Sequence, residues 1–130
     1  MSIREYIAYE GEKYTIEWFF TKDGKSPSLE YYNMLDRAQK IKLLMLFKRM
    51  GDLGKIIDKT KFNNEGDKIY AFKPQPDRFL CFFVQQQKII ITNGFCKKQS
   101  KLPPNEKERA LNYKDDFDKY LYSIDWFENI

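Results

Sequence analysis

The 130-residue chain contains no histidine. That excludes imidazole chemistry, both general acid–base catalysis by His and activation of a Ser or Cys nucleophile by a His neighbour. Any proton transfer has to use Lys, Tyr, Asp, Glu or Cys. Cysteine is nearly absent as well: Cys81 and Cys96 are too few for a disulfide framework. With no histidine to join them they make no convincing zinc site. Cys81, inside an apolar run, is expected to be a buried free thiol. Long hydrophobic runs are missing too. The longest, Phe79–Val84, is six residues, far too short for a bilayer span, and no hydrophobic leader core follows Met1. A cytoplasmic protein with no membrane contact is therefore expected. There is no GxGxxG, no P-loop and no CxxC, so no cofactor and no metal is expected.

What the chain does have is aromatics, with 11 Phe and 9 Tyr, and a hydrophobic fraction of 42%. That is enough apolar material for one core without metals or disulfides, and it argues against disorder. One domain spanning residues 1–130 follows, with residues 122–130 a candidate C-terminal extension. Net charge is a modest +4, but it is unevenly spread. From Lys68 to Lys101 there are seven basic residues and one acid, Asp77, whereas Leu102 to Ile130 carries four basic and seven acidic residues. Positive charge concentrated on the central segment is the footprint of a phosphate-binding face, although a solvated lysine fringe would look similar.

Lys13 to Phe20 (KYTIEWFF) is rich in β-branched and aromatic residues and predicts a first strand. Asp23-Gly24 marks a turn, and Ser26-Pro27 reads as an N-cap followed by proline at the first helical position. Leu29, Tyr32 and Leu35 continue that helix to about Asp36. A second helix, roughly Arg37 to Met50, carries a wide apolar arc that has to be covered on more than one side, and Gly51 is its expected stop. Asp52 to Asp67 is the least patterned stretch and reads as a loop. Three strands follow, Lys68 to Lys73, Arg78 to Gln85 and Lys88 to Phe95, joined by short turns and hence antiparallel. The Gln85–Gln87 connection lacks the glycine such turns favour. Asn105 and Glu108 form a capping pair for a last helix whose stripe is Ala110, Tyr113, Phe117, Tyr120, Leu121 and Ile124. Beyond it, Trp126 and Phe127 are exposed unless they dock. The fold class predicted is α+β: a single antiparallel-rich sheet of about four strands, two N-terminal helices and a C-terminal helix, the helices largely on one face.

The chain is organised around Lys88 to Pro104 (KIIITNGFCKKQSKLPP), where an apolar strand ends in adjacent cations. Lys73 closes one strand, Arg78 opens the next, and Lys97-Lys98 follow the third. Across their hairpin, Lys73 and Arg78 repel unless solvent or an anion intervenes. Arginine can fork two phosphate oxygens, while lysines act as point charges.

The segments IYAFKPQPDRFLCFFV and KIIITNGFCKKQSKLPPNEKERA resemble the HigB-like, phage-derived branch of the RelE/ParE toxin superfamily. Tyr70, Lys73, Arg78, Gly94, Phe95, Lys97, Lys98, Pro103, Glu106 and Ala110 stand at the family's pattern positions. Gly24-Lys25-Ser26-Pro27 matches its entry to the first helix. The likeness covers roughly Lys13 to Tyr120. Two departures stand out: Phe72-Lys73 replaces the usual Leu-Arg, and Ala71 replaces Glu. The resemblance implies a RelE-like fold and the toxin of a type II toxin–antitoxin pair. It further implies a metal-independent endoribonuclease that cleaves mRNA, either at the ribosome or free of it. Arg78 and Lys98 would stabilise charge with support from Lys73 and Lys97. A lysine of lowered pKa, or Tyr113, would move protons, although Tyr113 on the apolar stripe of the last helix also suits a core position. The implied partner is a small helix-turn-helix antitoxin. Two alternatives stay open, a ParE-like inhibitor of DNA gyrase without nuclease activity, and an inactive phage relic that only binds an antitoxin.

Overall fold

The computed structural model of the chain describes residues 6–85, 87–98 and 101–128, with side chains as far as residue 119. In chain order the elements are β1 (Ile7–Glu10), β2 (Thr15–Trp18), α1 (Pro27–Met34), α2 (Arg37–Leu53), β3 (Phe62–Gly66), β4 (Ile69–Phe72), β5 (Asp77–Val84), β6 (Lys88–Cys96) and α3 (Pro104–Glu128). The fold is α+β with a six-stranded sheet in the order β1-β2-β6-β5-β4-β3.

Two of these strands differ from the sequence expectation of about four. β1 precedes the first predicted strand, and β3 lies inside the predicted Asp52–Asp67 loop. Both are edge strands, and β3 reads FNNEG, with no alternation for a one-sided partner to impose. The sheet is also mixed. β2 pairs with β6 in parallel, Ile16 opposite Ile89 and Trp18 opposite Ile91, the connection between them running through α1, α2 and the antiparallel strands β3 to β5.

The helices occupy both faces rather than one. Ile16, Trp18, Phe72, Phe79, Cys81, Ile89 and Ile91 pack with Leu43, Phe47 and Met50 of α2 and with the ring side of α1. Residues of opposite parity, among them Ile69, Ala71, Leu80, Phe82 and Ile90, pack against Ala110 of α3. Strand alternation therefore feeds two cores, and this explains why β5 is a continuous apolar run.

Local chemistry sets the helix ends. Ser26 caps α1, its Oγ accepting from the Leu29 N–H at 3.4 Å, with Pro27 in the first turn. Asp36 and Gln39 form a capping box on α2, at 2.8 and 3.3 Å. The expected stop at Gly51 is overturned: α2 runs to Leu53 and ends at Gly54, which takes the left-handed φ of 80°. Gly51 serves close approach instead. Its carbonyl accepts from the Lys13 and Tyr14 N–H groups at 2.7 and 2.9 Å, and a side chain there would meet the Tyr9 ring. α3 starts at Pro104, so Asn105 sits within its first turn rather than capping it. Of the β5–β6 connection, Gln87 takes a positive φ of 61°, and Gln86 lies outside the described residues. α3 continues through the segment singled out as a candidate extension; the Tyr120, Leu121, Ile124, Trp126 and Phe127 side chains lie outside the described ones.

A bulge opposite Leu80 and Cys81 shifts the β5–β6 register at Thr92, in the middle of β6. Its polar groups are satisfied. Thr92 Oγ1 contacts the Leu80 carbonyl and Asn93 Oδ1, at 3.2 and 2.6 Å, and Asn93 Nδ2 donates to the Glu106 carbonyl of α3 at 3.2 Å. These bonds fix β6 just before Gly94 to Lys97.

Candidate functional site

The site sits at one end of the sheet, where β4 stops, β5 starts and β6 leaves. Phe72 lies opposite Phe79, and Asp77 opposite Cys96, so Lys73, Arg78 and Lys97 belong to adjoining positions of three neighbouring strands. The Lys97 N–H donates to the Pro76 carbonyl at 3.0 Å, which ties the exit of β6 to the β4–β5 turn. Lys73 feels both of the others. Burial, foremost, and then the charges of Arg78 and Lys97, lower the Lys73 ammonium pKa against the upward pull of Glu65.

Arg78 is the most enclosed cation, only 8% exposed. Its Nη1 donates to the Asp77 carbonyl at 2.9 Å and to Gln75 Oε1 at 3.0 Å, both neutral acceptors. Its buried Nε has no partner among the described residues. Burial pushes the guanidinium pKa down while Glu65, Asp77 and Cys96 push it up, and an arginine starting so high stays charged. A buried guanidinium held by neutral oxygens keeps an uncompensated charge that is chemically suited to a phosphate oxygen.

The repulsion expected between Lys73 and Arg78 is relieved in part by Glu65, a residue of β3 that sequence reasoning placed in a loop. Its Oε1 is 3.9 Å from Lys73 Nζ. Lys73 also donates to the Lys59 carbonyl at 3.2 Å. Gln75 is a second missed participant, bridging Arg78 and the Thr60 carbonyl, the latter at 3.1 Å from Nε2.

Asp77, 1% exposed, is the third. Neighbouring strand residues point to opposite faces, and its carboxylate turns to the α1–α2 side. There it accepts from the Tyr31 hydroxyl at 2.5 Å and from Gln39 Nε2 at 3.3 Å. Burial, then the bond to Asp77 and its charge, push the Tyr31 pKa above the usual phenol range. The one acid within a basic stretch, directly before Arg78, is the signal that could have singled out Asp77.

Two of the predicted residues stand differently. Lys98 is exposed at the rim beyond Lys97. Tyr113 has a core role: its ring packs on Phe19, centroids 5.2 Å apart, in the core under α3, and its hydroxyl accepts from Arg109 at 3.4 Å. The apolar stripe of α3 accounts for it. Among the described residues no group of three or more Cys, Asp or Glu could hold a metal ion, and no helix is long and apolar enough to cross a membrane.

No curated protein matches the chain. Residues 30–115, more than half of it and including Lys73, Arg78, Lys97 and Lys98, match the family model described as phage-derived protein Gp49-like (DUF891). The chain belongs to the Gp49-like family of phage-derived proteins.

Proposed function

We propose that this protein is the toxin of a type II toxin–antitoxin pair, of the HigB-like kind. It acts in the cytoplasm as an mRNA endoribonuclease that needs no metal, and a helix-turn-helix antitoxin restrains it. The observation that carries the reading is the meeting of Lys73, Arg78 and Lys97 on one strand-end rim, with the Arg78 guanidinium held by neutral acceptors. A ribose 2′-OH attacks the adjacent phosphorus, its proton passes to a base, and the 5′-oxygen leaves with a proton. The products are a 2′,3′-cyclic phosphate and a 5′-hydroxyl. Arg78 stabilises the charge that builds on the phosphorane, helped by Lys97 and, from the rim, Lys98. Lys73, whose ammonium pKa burial pushes down, is the group proposed to move the proton.

Induction in growing cells, with new mRNA 5′ ends mapped, tests this. Arg78→Ala is expected to reduce cutting about a hundred- to a thousandfold, the usual cost of one oxyanion-type donor. Unchanged cutting sinks the assignment. The Glu65 carboxylate beside Lys73 favours a second reading, a relic that binds its antitoxin and attacks nothing. Absence of any growth defect on induction would select it. Growth arrest with intact mRNA and altered DNA supercoiling would instead select a gyrase inhibitor.

A further inference from the structure

A groove beside the cluster has no part in the chemistry above. It runs between α2 and the β4–β5 turn, holds about 240 Å³, and its lining includes Lys42, Met45, Arg49, Lys61, Lys73 and Pro74. Lys42, Met45 and Arg49 are spaced three and four residues apart, so they share one face of α2. Lys61 and Lys73 are neighbours across the β3–β4 edge, where the Lys73 N–H donates to the Lys61 carbonyl at 2.8 Å. Four cations around one small space repel without a counter-ion. Asp58, drawn down in pKa by its own bonds to Thr60 and by the charges of Lys61 and Arg49, and Glu65, beside Lys73, are the acids in reach. Among the described residues no carboxylate oxygen lies within 4 Å of Lys42, Arg49 or Lys61.

Two features say what kind of anion fits. Lys73 belongs both to the groove and to the Arg78–Lys97 cluster, so a ligand in one is continuous with a ligand in the other. Gln75 strengthens that link: its side chain holds Arg78, and its carbonyl lies 3.5 Å from Lys42 Nζ. The groove is also not purely ionic, since Met45, 65% exposed, offers apolar surface between the charges, with the buried Pro74 behind it. Alternating cationic and apolar surface is what single-stranded nucleic acid uses, phosphate on the former and base on the latter.

We propose that this groove is a second nucleotide subsite. It receives one nucleotide flanking the phosphate held at Lys73 and Arg78, with its own phosphate on Lys42, Arg49 and Lys61 and its base against Met45. The proposal rests on the ribonuclease reading, so its test has to tell the two apart. The probes are a dinucleotide and a hexanucleotide of 2′-O-methyl RNA, which bind but cannot be cleaved, titrated at several salt concentrations. The wild type is expected to bind the hexanucleotide at least about tenfold more tightly, the one added single-strand phosphate contact steepening the salt slope by about 0.7. In Lys42→Ala/Arg49→Ala that advantage and that extra slope disappear, while dinucleotide binding stays as in the wild type. Met45→Ala lowers hexanucleotide affinity several-fold and leaves the slope unchanged. Both variants alter exposed α2 positions, and an unchanged unfolding midpoint shows that they fold. If the double variant keeps the wild-type hexanucleotide affinity, the subsite is refuted and the ribonuclease reading stands. Equal losses for both oligonucleotides refute it too, since the groove would then be part of the central phosphate seat. A polyglutamate peptide that outcompetes the hexanucleotide, and loses binding in the double variant, assigns the groove to an acidic protein partner instead. Failure of the wild type to bind either RNA ends both proposals.

Discussion

Tyr31→Phe tests how the scaffold holds the site. The substitution removes one oxygen and keeps the ring, which packs edge-on to Phe79 with centroids 5.6 Å apart, so the measured effect belongs to the hydroxyl. Without it, Asp77 Oδ1 is left in a site where the residue is 1% exposed, with only Gln39 still bonding the carboxylate, at 3.3 Å. A hydrogen bond to a charged group contributes about 1.5–3 kcal/mol, and an orphaned buried oxygen keeps the loss near the upper half of that range. With a urea m-value of about 2 kcal/mol/M, the unfolding midpoint is expected to fall by about 1 M at constant m. The pH dependence has a definite sign. The folded-state pKa of Tyr31 is raised above the ordinary 10.0, so the hydroxyl's stabilisation is fully present below that pH. Above it the unfolded chain ionises first, and the gap between wild type and Tyr31→Phe narrows as pH rises. A midpoint shift under about 0.2 M, or a gap that changes between neutral pH and the ordinary phenol pKa, would falsify the Asp77 clamp.

Gly11→Ala places a Cβ 2.2 Å from the Gly51 carbonyl carbon and 2.3 Å from its oxygen, backbone against backbone. The β1–β2 turn then has to leave α2 and stretch the Lys13 and Tyr14 bonds to Gly51, at a cost of about 2–3 kcal/mol or more, read as a lowered melting temperature. Lys73 gives a pH prediction of opposite character to Tyr31. Its lowered pKa means that charge is lost at a pH below the ordinary 10.5, so affinity for the 2′-O-methyl dinucleotide declines early on the alkaline side, while stability rises through the same window. Lys73→Arg, which keeps its charge, is expected to flatten that decline; an equally steep fall would remove Lys73 from the phosphate seat.

Helix ends were legible in the sequence because their signals are local. Ser26-Pro27 acts within one turn and opens α1 where expected, and α2 starts at Arg37 as expected, on an Asp36–Gln39 capping box of equally short range. Gly51 misled for the opposite reason: its role is a long-range approach to Tyr9 and the β1–β2 turn, which no neighbour in sequence announces. The central strands were legible from their apolar runs, and the edge strands were not. Only Phe62 of β3 packs into the core, so FNNEG carries no period to read. Parallel pairing of β2 with β6 and the placement of α3 on the far face leave no local mark either. At the site, the strand-end cations could be placed because each bordered a recognisable strand. Glu65 and Tyr31 could not, since Glu65 reaches Lys73 from an unread edge strand and Tyr31 reaches Asp77 across 46 residues of sequence, while Gln75, only three residues from Arg78, sits in a turn that carries no pattern.

Asp77 and Arg78 show how this fold keeps four basic residues near one rim without losing the rim. Strand alternation sends the two side chains to opposite faces. Asp77 is locked into the α1–α2 side by Tyr31 and Gln39, and its own carbonyl accepts from Arg78 Nη1 at 2.9 Å. The anchor and the guanidinium it steadies are thus one peptide bond apart. The carboxylate is held by hydroxyl and amide donors rather than by Arg78, so it fixes the backbone without filling the guanidinium's place for an anion. A carboxylate turned to the other face would have paired with Arg78 and closed the seat. Asp77→Asn separates these roles. It keeps the shape and the bond from Tyr31 while removing the charge, so RNA affinity is expected to stay within about twofold, since the carboxylate is directed away from the seat. A tenfold gain in affinity would show instead that the Asp77 charge competes with phosphate, and the division between anchor and seat would fail.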